Sequence, residues 1–185
     1  MLDNLVDSID KIEIQCDGSL LPLKSRAGIG ISVWLILKEG FVKSLDIKQT
    51  RFFLGLGGYS VTSPLNKSSY IEYQSILDAT SFARILSVFI QTKFYIRNDS
   101  NIIINVGKYI YGTNYDRIQP EFISYYEKIK DEVSKAKSPI KFTLGQGWIE
   151  DNISRTYALA DNLIEMPTIT EVTKRIENIL SGIVK

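Results

Sequence analysis

The sequence predicts a single α/β domain built on a five-stranded mixed sheet with helices on both faces. Two patterns indicate this class: three β-like segments follow one another near the start, and helix and strand patterns alternate after them. The 185 residues are 44% hydrophobic and 23% charged, as expected for a globular chain with one sizeable core. We expect the domain to span residues 1–166 and residues 167–185 to form an amphipathic helix appended to it.

The first three predicted strands form an antiparallel meander. Residues 11–16 alternate between apolar and polar side chains, which is the period of a strand, and the Asp-Gly-Ser sequence at 17–19 is expected to end it. A second strand is predicted over residues 28–37. A third is predicted over residues 41–54, which are rich in β-branched and aromatic side chains.

Helices and strands alternate in the rest of the chain. Apolar residues recur there at three-to-four spacing or in strict alternation, and glycine and proline separate the segments. The expected elements are, in order, a loop over 55–69, a helix over 70–91, a strand over 94–97, a short helix ending near Gly107, a loop over 109–120, a helix over 121–137, a strand over 140–144, a helix over 153–165 and a last amphipathic helix over 168–184.

The composition excludes several kinds of site. The chain has no histidine, which removes Ser-His and Cys-His catalytic pairs and histidine-ligated metals. Its single cysteine, Cys16, forms no intrachain disulfide, is interpreted as a core residue, and favours a cytoplasmic location. With 22 basic and 21 acidic residues, no overall field attracts nucleic acid, and no segment is apolar enough to predict a membrane partner.

Four acidic residues are predicted at element ends or on helices that could share one site. Asp17 follows the first strand, Glu72 lies in the first turn of the first long helix, Asp99 follows the fourth strand, and Asp161 lies in the helix after the fifth. A few carboxylate oxygens together with water bind hard divalent cations. Two such ions can activate a water and stabilise the leaving oxygen of a phosphodiester, and this chemistry needs no histidine.

The residues around these acids resemble the ribonuclease H family. The segment IEIQCDGS at 12–19 is similar to the family's first strand with its metal-binding aspartate. The sequences IEY around Glu72, NDS around Asp99 and ADNL around Asp161 resemble the other three acidic motifs in their family order. The resemblance covers residues 11–166 and extends to the order of helices and strands.

This resemblance implies an endonuclease that cleaves the RNA strand of RNA–DNA hybrids with two Mg²⁺ or Mn²⁺ ions. The products would carry 5′-phosphate and 3′-hydroxyl ends. Asp17 would bridge the two ions, Glu72 and Asp99 would complete the shell of one, and Asp161 would complete that of the other.

The resemblance also implies contacts to nucleic acid. Backbone near Gly18 and Ser19 would approach the 2′-hydroxyls, which distinguish RNA from DNA. Lys24 and Arg26 are expected to contact phosphates. Ser68 and Ser69, which replace the family's asparagine pair, and Asn101, which follows the DS motif, are expected to contact bases or the minor groove.

One position departs from the family pattern. Many members carry a histidine in a glycine-flanked turn after the fifth strand, and this chain has Gln146 there. Because glutamine cannot shuttle a proton, that step would fall to Glu150, to Asp151 or to solvent.

Other interpretations stay open for each acid and for the whole chain. Asp17-Gly18 is a turn signal, Ser69 and Glu72 have the spacing of a capping box, Asp99 could cap a helix, and Asp161 could be a surface acid. The chain could therefore be a DNA nuclease of resolvase or transposase type, or a non-catalytic binding domain. The last helix could bind a protein partner.

Overall fold

The computed structural model describes residues 9–21, 26–38, 42–44, 64–112 and 118–145, together with Thr170, Lys174 and Asn178, which are helical and exposed. The expected domain boundary at residue 166 and the predicted helix over 153–165 lie outside these residues. No described helix is long and apolar enough to cross a membrane.

A mixed sheet forms the centre of the fold. Its strands are β1 (Ile9–Leu21), β2 (Arg26–Leu37), β3 (Val42–Ser44), β4 (Lys93–Asn98) and β5 (Ile140–Leu144), in the spatial order β3-β2-β1-β4-β5. The first three strands pair antiparallel, as the sequence predicts, whereas β4 pairs parallel to β1 and β5 parallel to β4.

Two of the described helices pack on one face of this sheet, and the third packs against the first of them. They are α1 (Pro64–Leu86), α2 (Ile102–Ile110) and α3 (Ile123–Lys135), the last preceded by a 3-10 turn at Pro120–Phe122. Ile71 of α1 contacts Gly18 on the face of β1 to which its even-numbered residues point. Helix α2 contacts Phe142 of β5, which points to the same face of the sheet. The expectation of helices on the second face concerns residues outside the described ranges.

The core lies between the sheet and α1. Ile12, Ile14 and Cys16 point to this side of β1 and are almost completely buried, as are Ile76 and Leu86 of α1. The strict alternation of residues 11–16 predicted this face correctly, and Cys16 is a buried core residue as expected.

The second face of the sheet is polar. Glu13 and Gln15 point to it and are buried, and Gln15 Nε2 donates to Glu13 Oε1 at 2.9 Å. Arg97, beside them on β4, places its Nε 3.1 Å from the same carboxylate. Asp17 follows in the same alternation, so one acid of the site described below belongs to this polar row, whereas Glu72 comes from α1, the helix packed on the other face.

The prediction that 17–19 end the first strand is wrong. Strand β1 continues through them to Leu21, because Asp17 pairs with Gly30 and Gly18 with Ile29 in the ladder with β2. An Asp-Gly pair is compatible with either a turn or a strand, and the partner strand decides between them.

The predicted start of the first long helix is also wrong. Helix α1 begins at Pro64 rather than at residue 70, which proline allows because its missing N–H is not needed in the first turn. Ser69 therefore lies inside the helix, and the capping-box interpretation of Ser69 and Glu72 fails.

The other boundaries differ less. Helix α2 continues past Gly107 to Ile110, since one helical glycine costs only about 1 kcal/mol. Of the predicted third strand, Val42–Ser44 pairs with β2, and residues 45–54 lie outside the described part of the chain.

Gly18 allows α1 to approach β1 closely. A Cβ atom at this position would lie 2.6 Å from Ile71 Cγ2 and 2.8 Å from the Ile71 carbonyl carbon. Backbone cannot move aside as a flexible side chain can, so any larger residue must push α1 away from the sheet.

We predict that Gly18→Ala lowers the free energy of unfolding by about 1–3 kcal/mol, because overpacking at a backbone contact forces the helix to shift. Urea unfolding followed by circular dichroism measures this change.

Gly107→Ala is the matched control. A Cβ there would lie 3.5 Å from Phe142 Cβ, an ordinary contact, and alanine favours the helix, so this variant should be at least as stable as the parent. Equal effects of the two substitutions would contradict the close-approach account.

Candidate metal centre

The parallel pairing of β1 and β4 brings two of the predicted acids together. The ladder ends at the pair Gln15 and Arg97, and Asp17 and Asp99 each lie two residues beyond it. Strand β1 stays paired to β2 there, whereas β4 ends at Asn98. The two aspartates therefore lie side by side where the strands separate.

Helix α1 supplies the third acid. Glu72 follows Ile71, the residue packed against Gly18, so the close approach of helix and strand places its carboxylate beside Asp17. Carboxylate oxygens of Asp17, Glu72 and Asp99 all lie within 4.8 Å of one another. Asp17 is buried, Glu72 is half-buried and Asp99 is exposed, so the cluster opens to solvent on the Asp99 side.

Asn98 holds this arrangement in place. Its buried side-chain Nδ2 donates to Glu72 Oε2 and to the Cys16 carbonyl, both at 2.9 Å, and its Oδ1 accepts from the Ser100 N–H at 2.8 Å. One amide thus joins helix α1, strand β1 and the turn that follows Asp99. Asn98 belongs to the NDS motif, but the motif alone predicts no role for this residue.

Ser100 stabilises the turn that follows Asp99. Ser100 Oγ accepts from the Ile102 N–H at 3.3 Å, and the Ser100 carbonyl accepts from the Ile103 N–H at 3.1 Å. Ser100 therefore caps the start of α2. Asn101 lies at the N-cap position without a side-chain cap bond, and it is exposed beside Asp99.

Burial, together with the neighbouring acids, raises two carboxyl pKa values. Burial raises the pKa of Glu72 to about 8, with a further contribution from the charge of Asp17, while the hydrogen bond from Asn98 opposes the rise. Burial likewise raises the pKa of Asp17 to about 6, assisted by the charge of Asp99 and opposed by the Gly18 N–H. Without a cation, the cluster is a site where negative charge is costly.

Three of the four predicted acids therefore converge, and the remaining predicted site residues are placed as follows. Gly18 and Ser19 continue β1 directly after Asp17, Arg26 begins β2, and Ser68 and Ser69 lie in α1 before Glu72. Lys24, Gln146, Glu150, Asp151 and Asp161 lie outside the described residues.

Solved structures share this arrangement of strands and helices. RNase H1 from Halobacterium salinarum matches with a TM-score of 0.51 at 14% identity, over 83% of this chain and 96% of that one. LC11-RNase H1, solved in complex with an RNA/DNA hybrid, matches with a TM-score of 0.52 at 15% identity, over 83% of this chain and 96% of that one.

The chain has a ribonuclease H-like fold. The N-terminal RNase H domain of rv2228c from Mycobacterium tuberculosis, solved as a fusion with maltose binding protein, matches with a TM-score of 0.50 at 17% identity, over 93% of this chain and 99% of that one. No protein-family model and no curated protein matches the sequence. The ribonuclease H-like fold is therefore visible in the backbone, although few side chains are shared.

The chemistry of the cluster suits a hard divalent cation. Mg²⁺ and Mn²⁺ prefer carboxylate oxygens and retain several waters, and a site with one exposed acid leaves room for them. A bound cation would also relieve the repulsion that raises the two pKa values. In this ribonuclease H-like fold, Asp17, Glu72 and Asp99 are the described residues that could hold such an ion.

The raised pKa values predict a pH-dependent stability for the metal-free chain. The pKa of Glu72 is higher in the folded state, about 8, than its ordinary 4.5, so the folded chain binds more protons between these values. The free energy of unfolding should therefore fall as the pH rises from about 4.5 to about 8. Urea unfolding in a chelator at several pH values measures this slope.

Glu72→Gln should flatten this profile and make the chain more stable than the parent at pH 8, by a few kcal/mol. The side-chain amide oxygen of the substituted residue can still accept a hydrogen bond from Asn98, and the variant has no carboxylate charge to bury at this position. The matched control is Glu121→Gln, an exposed acid outside the cluster, which should keep the parent's slope. An unchanged slope in Glu72→Gln would show that Glu72 is not the group responsible.

Proposed function

We propose that this chain is a metal-dependent endonuclease that cleaves the RNA strand of RNA–DNA hybrids, using two Mg²⁺ or Mn²⁺ ions. The observation that carries the proposal is the convergence of Asp17, Glu72 and Asp99 within 4.8 Å. The ribonuclease H-like fold supports it, because Asp17, Glu72 and Asp99 lie on the first strand, on the first long helix and directly after the fourth strand, the elements to which the resemblance assigns them.

The described residues would bind and position the ions. Asp17 and Asp99 offer carboxylates from adjacent strands, and Glu72 offers one from α1 that Asn98 orients. Bound divalent ions supply an activated water and a stabilised leaving oxygen for phosphodiester hydrolysis. Because ligands bind metal in their deprotonated form, binding should release the proton that Glu72 retains near neutral pH.

The remaining roles follow from the resemblance and are part of the proposal. Asp161 would help to hold the second ion. The proton step that a family histidine performs falls to Glu150, to Asp151 or to solvent, since Gln146 cannot carry it out.

Contacts to the hybrid are proposed on both sides of the acids. Ser69 precedes Glu72 by three residues on α1, so both side chains lie on one side of the helix. Gly18 and Ser19 follow Asp17 along β1, and Asn101 is exposed after Asp99. Together with Ser68, Lys24 and Arg26, these residues would contact 2′-hydroxyls, bases and phosphates.

We predict that the full chain cuts the RNA strand of a labelled RNA–DNA hybrid in Mg²⁺ or Mn²⁺ and leaves 3′-hydroxyl ends. Asp99→Asn should lower the rate about 100-fold or more, because losing one ligand removes several kcal/mol of transition-state stabilisation. Gel electrophoresis of end-labelled products measures both the rate and the ends.

Asp131→Asn is the matched control, since Asp131 is an exposed acid on α3 that pairs only with Lys135 among the described residues. This variant should cut at the parental rate. Cleavage of duplex DNA without cleavage of the hybrid would favour a DNA nuclease of the same fold. Products with a 2′,3′-cyclic phosphate would contradict hydrolysis by two metal ions.

A further inference from the structure

An open groove runs along the outer edge of the sheet, away from the acids. Strand β5 is the edge strand of the described sheet, and β4 separates it from β1. The groove has a volume of about 790 Å³ and lies between β5, helix α2 and the end of α3. The proposed nuclease site uses none of the described residues that line it.

The outer edge of β5 faces this groove, and no strand in the described part of the chain pairs with it. The Pro139 carbonyl accepts from the Phe94 N–H, and the Gly145 N–H donates to the Asn98 carbonyl, each bond joining the strand to β4. Alternate residues of a parallel strand turn both backbone groups to the same side. The N–H and C=O groups of Ile140 and Phe142 therefore point outward, where no other described strand pairs with them.

The helix side of the groove is mainly apolar, although Lys108 of α2 also lines it. Ile104 of α2 and Tyr111, which directly follows this helix, are 37% and 53% exposed, which is high for large apolar side chains. Val133 of α3 and Phe142 of β5 complete this wall. Apolar side chains exposed beside an unpaired strand edge are typical of surfaces that accept an extended peptide.

The basic residues of the groove indicate that its partner is acidic. Among the described residues that line it, Lys108, Lys137 and Lys141 are basic and none is acidic. Lys141 points to the opposite side of β5 from Ile140 and Phe142, because side chains alternate along a strand. A strand added beside β5 would thus direct every second side chain to the mainly apolar helix side and the others to the side of the sheet on which Lys141 lies, with its Nζ 5.8 Å from the centroid of the Tyr95 ring.

We propose that this groove binds an extended protein segment in which apolar and acidic residues alternate, and which adds to the sheet beside β5. A second copy of this chain fits less well, because its edge would bring lysines against lysines. Nucleic acid also fits less well, since outward carbonyl oxygens repel phosphates, whereas a peptide backbone pairs with both the carbonyl and the N–H groups. The inference is independent of the proposed nuclease activity.

The experiment uses the full chain and a fluorescent peptide in which valine alternates with glutamate. Anisotropy should show binding with a Kd on the order of 10–100 μM. Hydrogen exchange should show new protection of the Phe142 N–H. A peptide of the same composition with valines and glutamates in separate blocks should bind at least about tenfold more weakly, because it cannot match the two sides of a strand.

Two variants test the surface, and one controls for it. Lys141→Glu and Ile104→Glu should each weaken binding about tenfold or more, whereas Lys128→Glu, which changes an exposed lysine outside the groove, should not. Several results would overturn the proposal: no binding of the alternating peptide, equal binding of the block peptide, or no effect of Lys141→Glu. Displacement of the peptide by an RNA–DNA hybrid would assign the groove to nucleic acid, and dimerisation through Lys141 would assign it to a second copy.

Discussion

The close contact between Gly18 and Ile71 is the constraint on which the candidate site depends. It sets the distance between α1 and β1, and so determines how near Glu72 comes to Asp17. A side chain at position 18 would separate helix and strand and move one carboxylate away from the other two. The same glycine leaves its N–H available to both carboxylates, where it opposes the rise in their pKa values. Gly18 therefore affects both the packing of α1 on β1 and the pKa values of the two carboxyl groups.

The acids are held together against their own repulsion. Two of the three are partly or fully removed from water, and each feels the charge of a neighbour, which raises the pKa of Glu72 to about 8. Asn98 compensates for part of this cost through its hydrogen bond to Glu72. An arrangement that is costly without a cation and favourable with one is typical of a functional site rather than of a structural one.

Much of the fold could be predicted from the sequence, because hydrophobic periodicity reports directly on burial. The alternation of residues 11–16 predicted the buried face of β1. Asp17, Glu72 and Asp99 were assigned to the right strand, helix and strand end, although Asp17 lies inside β1 rather than at its end and Glu72 lies in the third turn of α1 rather than in the first. The ends of the strands and helices were harder to predict. Whether the chain turns at Asp17-Gly18 or continues as a strand depends on the pairing with β2, which no local sequence pattern encodes. Asn98 was missed for a similar reason, since its partner Glu72 is 26 residues away and only the folded chain brings them together.

The central claim is that Asp17, Glu72 and Asp99 form a metal-binding site, and thermal unfolding of the full chain with and without Mn²⁺ tests it most directly. Binding to the folded state alone should stabilise it by about 2.7 kcal/mol when Mn²⁺ is at one hundred times its Kd, which raises the Tm by several degrees. Asp17→Asn should abolish this rise, because it removes the buried ligand. An unchanged Tm in the parent, or an equal rise in Asp17→Asn, would contradict the account.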